Sequence, residues 1–438
     1  MIVFVTLLLG LASGVYPIEV TVDGPVAAVE FTLDGKPAGL ISKAPWKTGV
    51  NLGADLRPHQ LVARALDGQG REISQASQWL NLPRPPAEAE LVLEQGEDGA
   101  PKSVLLSWQS VNGASPAATE LTLDGKPLPL DADHRAALPP RDLKDLHMLA
   151  AELRFPSGVR ARKEVAYGGQ YGSAVSSELT AIPVRLGGAG RLPALDEVGR
   201  WFTAEGLAVA ADAVEEGPGK VTAVCLPASL EIQKRLLPGE QRPSPRYRND
   251  MPLGPEDSFQ FLSLGADPFH DSRIPADLFQ LYPALSAADG GVFHFLIDPR
   301  LRGDPPPVAA LRIADAVAVA GLQAATENHR RAVILLLGKD ILDSSHYSPA
   351  IVREYLRAIG VPLFVWSLQG KETALAKSWG PVEDVSTRAR LSDAVRRLRA
   401  ELDAQHIVWL DGRHLPQSVA LSPAATAARV EIAGRGTQ

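Results

Sequence analysis

The sequence predicts a multidomain protein: two N-terminal all-β sandwich modules followed by an α/β doubly wound, Rossmann-like domain. Three observations carry this prediction. Asp-Gly dipeptides separate short alternating strands in the N-terminal part of the chain. One octapeptide of that part occurs twice with a single change. From Lys220 onward, apolar runs of strand length alternate with amphipathic helices, which is the pattern of a doubly wound sheet.

The first predicted module spans residues 15–84. Its strands are broken at Asp23-Gly24, Asp34-Gly35 and Asp67-Gly68. Asp-Gly between β-rich runs is a strong hairpin signal, because both central residues of the tight turn need positive φ. An all-β module is therefore expected, ending in a proline-rich linker that is unable to join a sheet interior.

The second predicted module spans residues 87–168 and repeats a piece of the first. The segment 30–37 reads EFTLDGKP, and the segment 120–127 reads ELTLDGKP. Such a match predicts two related modules of the same topology, with Asp34-Gly35 and Asp124-Gly125 at equivalent hairpin turns. By strand spacing, both modules resemble bacterial immunoglobulin-like modules.

The predicted α/β domain spans residues 219–412, between a β connector at 169–218 and a C-terminal tail at 413–438. Ala332 to Leu337 is apolar throughout, as in a parallel strand covered on both faces. Ser348 and Pro349 suit the start of the following helix, and Val361 to Leu368 predicts a second buried strand. The pattern also places a last strand of this sheet at His406 to Leu410.

The run RRAVILLL before a polar loop, with GVPLFVWSL one helix later, is similar to a von Willebrand factor type A domain. The preceding β modules match secreted bacterial proteins that carry such a domain behind immunoglobulin-like repeats. The resemblance implies a metal-ion-dependent adhesion site, with an Asp-x-Ser-x-Ser motif, a threonine and a later aspartate as ligands.

The residues at the corresponding positions depart from that ligand set. The first motif falls on residues 226–230, where only Ser229 is polar, and residues 303–325 contain no serine or threonine. The later aspartate is replaced by Gly338-Lys339, with Asp340 displaced. A cation there would face a lysine and apolar side chains, so a degenerate metal site and no metal or other cofactor are expected.

Composition narrows the classes of partner. The formal net charge is -7 over 438 residues with no long basic run, which disfavours nucleic acid as a partner. Cys225 is the only cysteine, so an intramolecular disulfide and a cysteine-based zinc cluster are excluded.

Residues 1–14, MIVFVTLLLGLASG, predict a signal peptide, because an apolar run of suitable length ends in small residues. A secreted or periplasmic location is therefore expected, with no transmembrane segment beyond this signal peptide or an N-terminal anchor. The alternatives are an uncleaved anchor, since no Lys or Arg precedes the run, and a buried first strand.

Five polar or aromatic residues are the candidate binding site, because they follow the central strand at the edge where open α/β folds bind ligands: Asp340, Asp343, Ser344, His346 and Tyr347. The expected function is a non-catalytic, exported binding or scaffold protein that recognises another protein. One alternative is divalent-metal-dependent adhesion through displaced ligands, Asp340 and Asp343. Another is a hydrolase using the Ser344 to His346 loop, although no Gly-x-Ser-x-Gly motif is present.

Two further groups of polar residues could form a site. Asp267, His270 and Asp271 could ligate a metal through mixed donors, but a turn after a strand is the better-supported interpretation. A small basic patch could meet an acidic surface, but an ordinary solvated loop is favoured; its residues are Arg242, Arg246, Tyr247 and Arg248.

Overall fold

The computed structural model divides the chain into two compact units, each described here by itself. One comprises Met1–Gly53, His59–Leu80 and Arg84–Leu179, and the other comprises Ala54–Pro58, Asn81–Pro83 and Thr180–Gln438. The residues that the structure describes are 2–85, 87–96, 100–110, 114–140, 144–156, 158–168, 175–176, 179–187, 194–226, 230–236, 254, 256–264, 279–282, 284–286, 310–338 and 340–436.

The first module is a sandwich of two antiparallel sheets, with strand orders β1-β2-β5 and β4-β3-β6-β7. Alternate side chains from both sheets fill a single apolar core, as period-2 patterning requires. Its strands are β1 (Ile2–Phe4), β2 (Val15–Val22), β3 (Ala28–Leu33), β4 (Lys36–Ile41), β5 (Trp46–Asn51), β6 (His59–Leu66) and β7 (Glu72–Leu80).

The second module repeats that arrangement, with orders β8-β9-β12 and β11-β10-β13-β14-β15, and adds one edge strand, β15, to the larger sheet. It also has one core built from both sheets. The prediction that the two modules share a topology is confirmed. Its strands are β8 (Ala87–Gln95), β9 (Pro101–Ser110), β10 (Ala118–Leu123), β11 (Lys126–Pro127), β12 (Arg135–Ala137), β13 (Leu146–Arg154), β14 (Arg160–Gly168) and β15 (Val175–Ser176).

The repeated hairpin turns are equivalent, as predicted. Asp34 and Asp124 both have φ 51°, and the glycines that follow have φ 72° and 74°. Each aspartate also contacts a histidine that the octapeptide did not reveal: His59 Nδ1 lies 2.7 Å from Asp34 Oδ2, and the corresponding histidine of the second module lies 3.0 Å from Asp124 Oδ2. The two modules thus share an aspartate–histidine contact as well as a turn.

The first strand of the first module lies within the predicted signal peptide. β1 pairs antiparallel with β2, and Ile2, Phe4 and Ala12 are buried in the module core. By topology β1 is the counterpart of β8, so the module is complete only with this strand. The arrangement corresponds to the buried-strand alternative, and a chain cleaved after residue 14 would lack the strand.

The residues predicted as a connector form short strands and one helical turn: β16 (Leu179–Leu186), α1 (Leu195–Val198), β17 (Phe202–Ala204), β18 (Leu207–Val209) and β19 (Ala211–Glu215). None of these strands joins the parallel sheet that follows.

The α/β domain is built on a sheet with strand order β22-β21-β20-β25-β27-β28, and β23 also pairs with β21. The central strands are parallel, whereas β22 and β23 are antiparallel. Its strands are β20 (Gly219–Cys225), β21 (Ser258–Ser263), β22 (Gln280–Leu281), β23 (Leu285–Ser286), β24 (Ala310–Leu311), β25 (Arg330–Leu337), β26 (Leu342–Asp343), β27 (Leu363–Ser367) and β28 (Glu383–Asp384).

Helices cover both faces of this sheet. One face packs its alternate residues against α2 and α6, and α3 contacts β20, β25 and α4. The α/β prediction therefore holds for this part of the chain. The run VFHFLI at 292–297, which predicts a further strand, lies outside the described residues. The helices are α2 (Leu230–Leu236), α3 (Ile313–Ala324), α4 (Pro349–Ala358), α5 (Ala374–Ser378) and α6 (Arg388–Ala404).

The predicted start of α4 is confirmed. Ser348 Oγ accepts a hydrogen bond from Ile351 N at 3.3 Å, and Pro349 is the first helical residue. The chain leaves the helix through Gly360, whose φ is +67°. This position suits glycine because L side chains rarely adopt such a conformation.

The strand predicted at His406 to Leu410 as the last strand of the parallel sheet belongs to a different sheet, so this prediction was wrong. β29 (Gln405–Asp411) pairs antiparallel with β19, in a sheet of order β19-β29-β16-β31. Val408 and Leu410 pack with Ile182, Val184 and Trp201, because their apolar alternation suits this second core.

The predicted connector and tail are therefore one β unit, and the α/β domain is inserted between them. The tail contributes β30 (Val419–Leu421), α7 (Pro423–Ala427) and β31 (Val430–Ile432). The predicted bounds 169–218, 219–412 and 413–438 separate strands that pair with one another in these sheets.

Candidate functional site

The candidate residues follow β25, at the carboxyl edge of the parallel sheet. Residues 340–347, the carboxyl-edge loop, include the short strand β26, which pairs in parallel with β24 just before helix α3. Ser344 N donates to Leu311 O at 2.8 Å. This pairing brings the loop to the start of α3.

Asp343 caps helix α3. Its Oδ1 accepts a hydrogen bond from Ile313 N at 3.0 Å, and its Oδ2 accepts from Ala314 N at 3.3 Å. The first amides of a helix have no partner inside the helix, so a carboxylate here satisfies them and faces the positive end of the helix dipole. Ser345 Oγ donates to the same Oδ1 at 2.5 Å.

Asp315 completes a reciprocal contact that sequence reasoning missed. The residue is 3% exposed. Its carboxylate accepts from His346 N at 3.0 Å, from Tyr347 N at 3.0 Å and from Arg312 Nε at 2.8 Å. The one signal that could have revealed Asp315 is its place as the only acid in a mostly apolar helix. The two carboxylates, Asp315 and Asp343, thus fix the loop on α3 from both sides; we call them the carboxylate latch.

The loop held in this way presents apolar and aromatic surface. Leu342 is 68% exposed. His346 is also exposed, and its ring meets the half-buried Tyr347 ring edge to face with centroids 4.8 Å apart. A large exposed apolar side chain beside a packed aromatic pair is typical of protein-binding surfaces. Leu342 was not among the predicted binding residues.

Asp340 lies apart from the latch. It is exposed, and its Oδ1 accepts from Leu375 N at 3.4 Å, in the first turn of α5. Asp343 contacts the start of α3 instead, with both of its oxygens bound to amides. Within the described ranges, no three His, Cys, Asp or Glu side chains converge as a metal site. The geometry therefore gives no support to adhesion through Asp340 and Asp343 as displaced ligands.

The hydrolase alternative also lacks geometric support. Ser345 Oγ is bound to the Asp343 carboxylate and accepts from Asp315 N at 3.1 Å. The His346 ring packs on Tyr347, and the hydrogen bonds between described residues include none from Ser344 or Ser345 to that ring. The serines and the histidine are adjacent in sequence without forming a nucleophile and base pair.

The remaining candidate residues lie in segments outside the described part of the chain. Asp267, His270 and Asp271 lie outside the described residues, as do Ser229 and the basic patch at 242–248.

A different carboxylate is buried at the amino edge of the same sheet. Asp257 is 2% exposed and accepts from Gly219 N at 2.7 Å and Gly254 N at 2.6 Å. Arg330 Nη2 lies 3.2 Å from its Oδ1. A Cβ at Gly219 would lie 2.8 Å from Asp257 Oδ1, so only glycine fits there. The group joins the first residues of β20 and β25 to the segment before β21.

Comparison with known proteins finds only structures with low similarity scores. Neither a protein-family model nor a curated protein matches the chain. Fibronectin(III)-like modules of Clostridium thermocellum CbhA are similar at 15% identity and TM-score 0.17, covering 39% of this chain and 94% of that one. The central fibronectin-III array of RIM-binding protein is similar at 10% identity and TM-score 0.23, covering 41% and 72%.

A mussel byssus protein, proximal thread matrix protein 1, is similar at 16% identity and TM-score 0.27, covering 50% of this chain and 49% of its own. At these scores the likenesses carry no functional argument. Each of the two N-terminal modules is a sandwich of two antiparallel sheets. No helix among the described residues has the length and apolar character needed to span a membrane.

Proposed function

We propose that this chain is a non-catalytic, exported binding or scaffold protein that recognises another protein through its carboxyl-edge loop. The observation that carries the proposal is the carboxylate latch: Asp315 and Asp343 bind backbone amides and leave Leu342, His346 and Tyr347 at the surface. A rigid support with exposed anchors reduces the entropy that a partner's binding must overcome.

The proposal includes a von Willebrand factor A-like domain that works without a metal. Two features support it: the doubly wound strand order with an antiparallel edge strand, and the use of loop carboxylates for amides rather than for a cation. The sandwich modules in front act as spacers in this proposal. An extracytoplasmic location is part of it.

Affinity capture from the extracytoplasmic fraction of the source cells tests the proposal. The baits are the full chain, a His346→Ala, Tyr347→Ala double variant and a Leu207→Ala control. The Leu207 side chain is 74% exposed and lies in strand β18, away from the carboxyl-edge loop in the sequence. We expect one or more proteins to be retained by the full chain and the control, with and without EDTA, and lost by the double variant. A folded double variant that retains every captured protein would contradict the proposal.

Export is tested separately by mass spectrometry of the N-terminus of the protein recovered outside the cytoplasm. Cleavage near residue 14 supports the signal peptide and requires the first module to stand without β1. An extracytoplasmic chain that keeps β1 supports an uncleaved form. Recovery in the cytoplasm alone would contradict the export part of the proposal.

A further inference from the structure

The side edge of the parallel sheet carries a groove that is separate from the carboxyl-edge loop. Strand β27 pairs along its whole length with β25, but on its other side only Trp366 and Ser367 pair with β28. In the described part of the chain no strand pairs with Leu363, Phe364 and Val365 on that side. Three unpaired residues leave about 10 Å of strand edge free.

A cavity of about 580 Å³ lies along this free edge, and we call it the β27 edge groove. Its lining includes the free strand segment Leu363 to Val365, together with Pro381 and Val382. Phe364 is only partly buried, so an apolar surface faces the groove. An unpaired strand beside an apolar trough is the geometry that accepts an added strand.

The charges around the groove indicate the sign of its occupant. Arg397 is paired with Glu383, and Arg185 Nε lies 3.1 Å from Glu401 Oε2. Lys371, which follows β27, is exposed and has no ion-pair partner among the described residues. The groove therefore has one uncompensated positive charge, at the carboxyl end of the strand.

We propose that the β27 edge groove binds an extended peptide segment of a partner protein by strand addition, with an acidic side chain of that segment opposite Lys371. The main chain of the segment pairs with Leu363 to Val365, and alternate apolar side chains lie against Phe364 and Val382. Main-chain hydrogen bonds supply affinity in such complexes, and side-chain pockets supply specificity. This inference is independent of the proposed function, because none of its residues belongs to the carboxyl-edge loop.

The test uses random peptides of about seven residues displayed on phage, long enough to span the free edge. Full-length protein is the target, and the best peptide is resynthesised and labelled for fluorescence anisotropy. We expect selected sequences that alternate β-branched residues and carry an acidic residue near one end. Methylating the backbone nitrogens on one edge of the peptide should weaken binding about tenfold or more, because the added strand loses its donors.

The matched variants separate this groove from general charge. Lys371→Glu should weaken binding of the acidic peptide about tenfold, since a like charge replaces the attractive one. Lys377→Glu, at an exposed lysine that pairs with Glu372 outside the groove, should leave binding unchanged. The inference is overturned if no peptide is enriched, if the N-methylated peptide binds equally, or if the two lysine variants behave alike.

Discussion

The two edges of the parallel sheet use buried carboxylates for opposite purposes. At the amino edge, Asp257 binds two glycine amides and Arg330, and the glycines leave no room for side chains. At the carboxyl edge, Asp315 and Asp343 bind backbone amides of the loop and the helix. At the amino edge the carboxylate holds the starts of the strands together. At the carboxyl edge the carboxylates fix a loop whose neighbouring side chains are exposed.

The difference shows how one sheet can have a costly buried ion pair at one edge and a less costly one at the other. A buried ion pair is costly to break because it leaves an uncompensated charge. At the carboxyl edge the guanidinium paired with Asp315 belongs to Arg312, whose side chain is 43% exposed against 14% for Arg330, so water can reach it when the carboxylate is removed. The exposed side chains of the carboxyl-edge loop can therefore vary with little cost to the stability of the sheet.

The largest expected effect is at Asp257. Asp257→Ala should lower the free energy of unfolding of the α/β domain by about 3–5 kcal/mol, because the amides of Gly219 and Gly254 lose their acceptor and Arg330 keeps only Asp403, at 3.8 Å, as an ion-pair partner among the described residues. Urea unfolding monitored by circular dichroism measures the loss. Glu256→Ala, at the exposed neighbouring position, is the control and should change stability by less than about 0.5 kcal/mol. Equal effects of the two substitutions would show that the Asp257 carboxylate does not stabilise the amino edge of the sheet.

A smaller effect is expected at Asp315. Asp315→Ala leaves the amides of His346 and Tyr347 and the Arg312 guanidinium without their acceptor, at a cost of about 1–3 kcal/mol. The same urea series measures it, with Asp315→Asn retaining the size of the side chain. A loss as large as that at Asp257 would remove the distinction between the two edges.

The smallest expected effect is at the hairpin turn of the first module, where a carboxylate binds an amide in a more exposed site. Burial raises the pKa of Asp34, but hydrogen bonds from His59 and from Gln60 N together hold that pKa below its ordinary value. A lowered folded-state pKa stabilises the module above the ordinary aspartate pKa, and the stabilisation is lost as the pH falls through the lowered value.

Asp34→Asn should therefore destabilise the first module by less than about 1 kcal/mol at neutral pH, and the gap to the unsubstituted protein should shrink below about pH 4. Thermal unfolding across a pH series measures this gap. A gap that widens on acidification would contradict the role of the ionised carboxylate.

The sequence predicted those features that depend on local chemistry. Asp34-Gly35 and Asp124-Gly125 require positive φ wherever they occur, and Ser348 before Pro349 marks a helix start by its own hydrogen bond. Length and apolar character also predicted the central strand β25 and its neighbour β27. Local chemistry does not say which sheet a strand joins, so β29 was assigned to the wrong one.

The sequence singled out the loop that holds the candidate residues, but not the contacts that those residues make. Proximity to the central strand singled out the carboxyl-edge loop, and the structure places Asp343 and Tyr347 on the start of α3. The role of Asp315 depends on a contact 31 residues away along the chain, with His346 N, which no local pattern encodes. The exposure of Leu342 was equally hidden, because an apolar residue next to a strand is usually buried.

Hydrogen exchange at the loop amides tests most directly whether a carboxylate, rather than a cation, fixes the carboxyl-edge loop. The amides of His346 and Tyr347 are measured by NMR in the unsubstituted protein, in Asp315→Ala and in Glu256→Ala, each with and without EDTA. We expect slow exchange in the unsubstituted protein and in the Glu256 control, no effect of EDTA, and exchange about tenfold or more faster in Asp315→Ala. Unchanged exchange in Asp315→Ala, or acceleration by EDTA alone, would contradict the account.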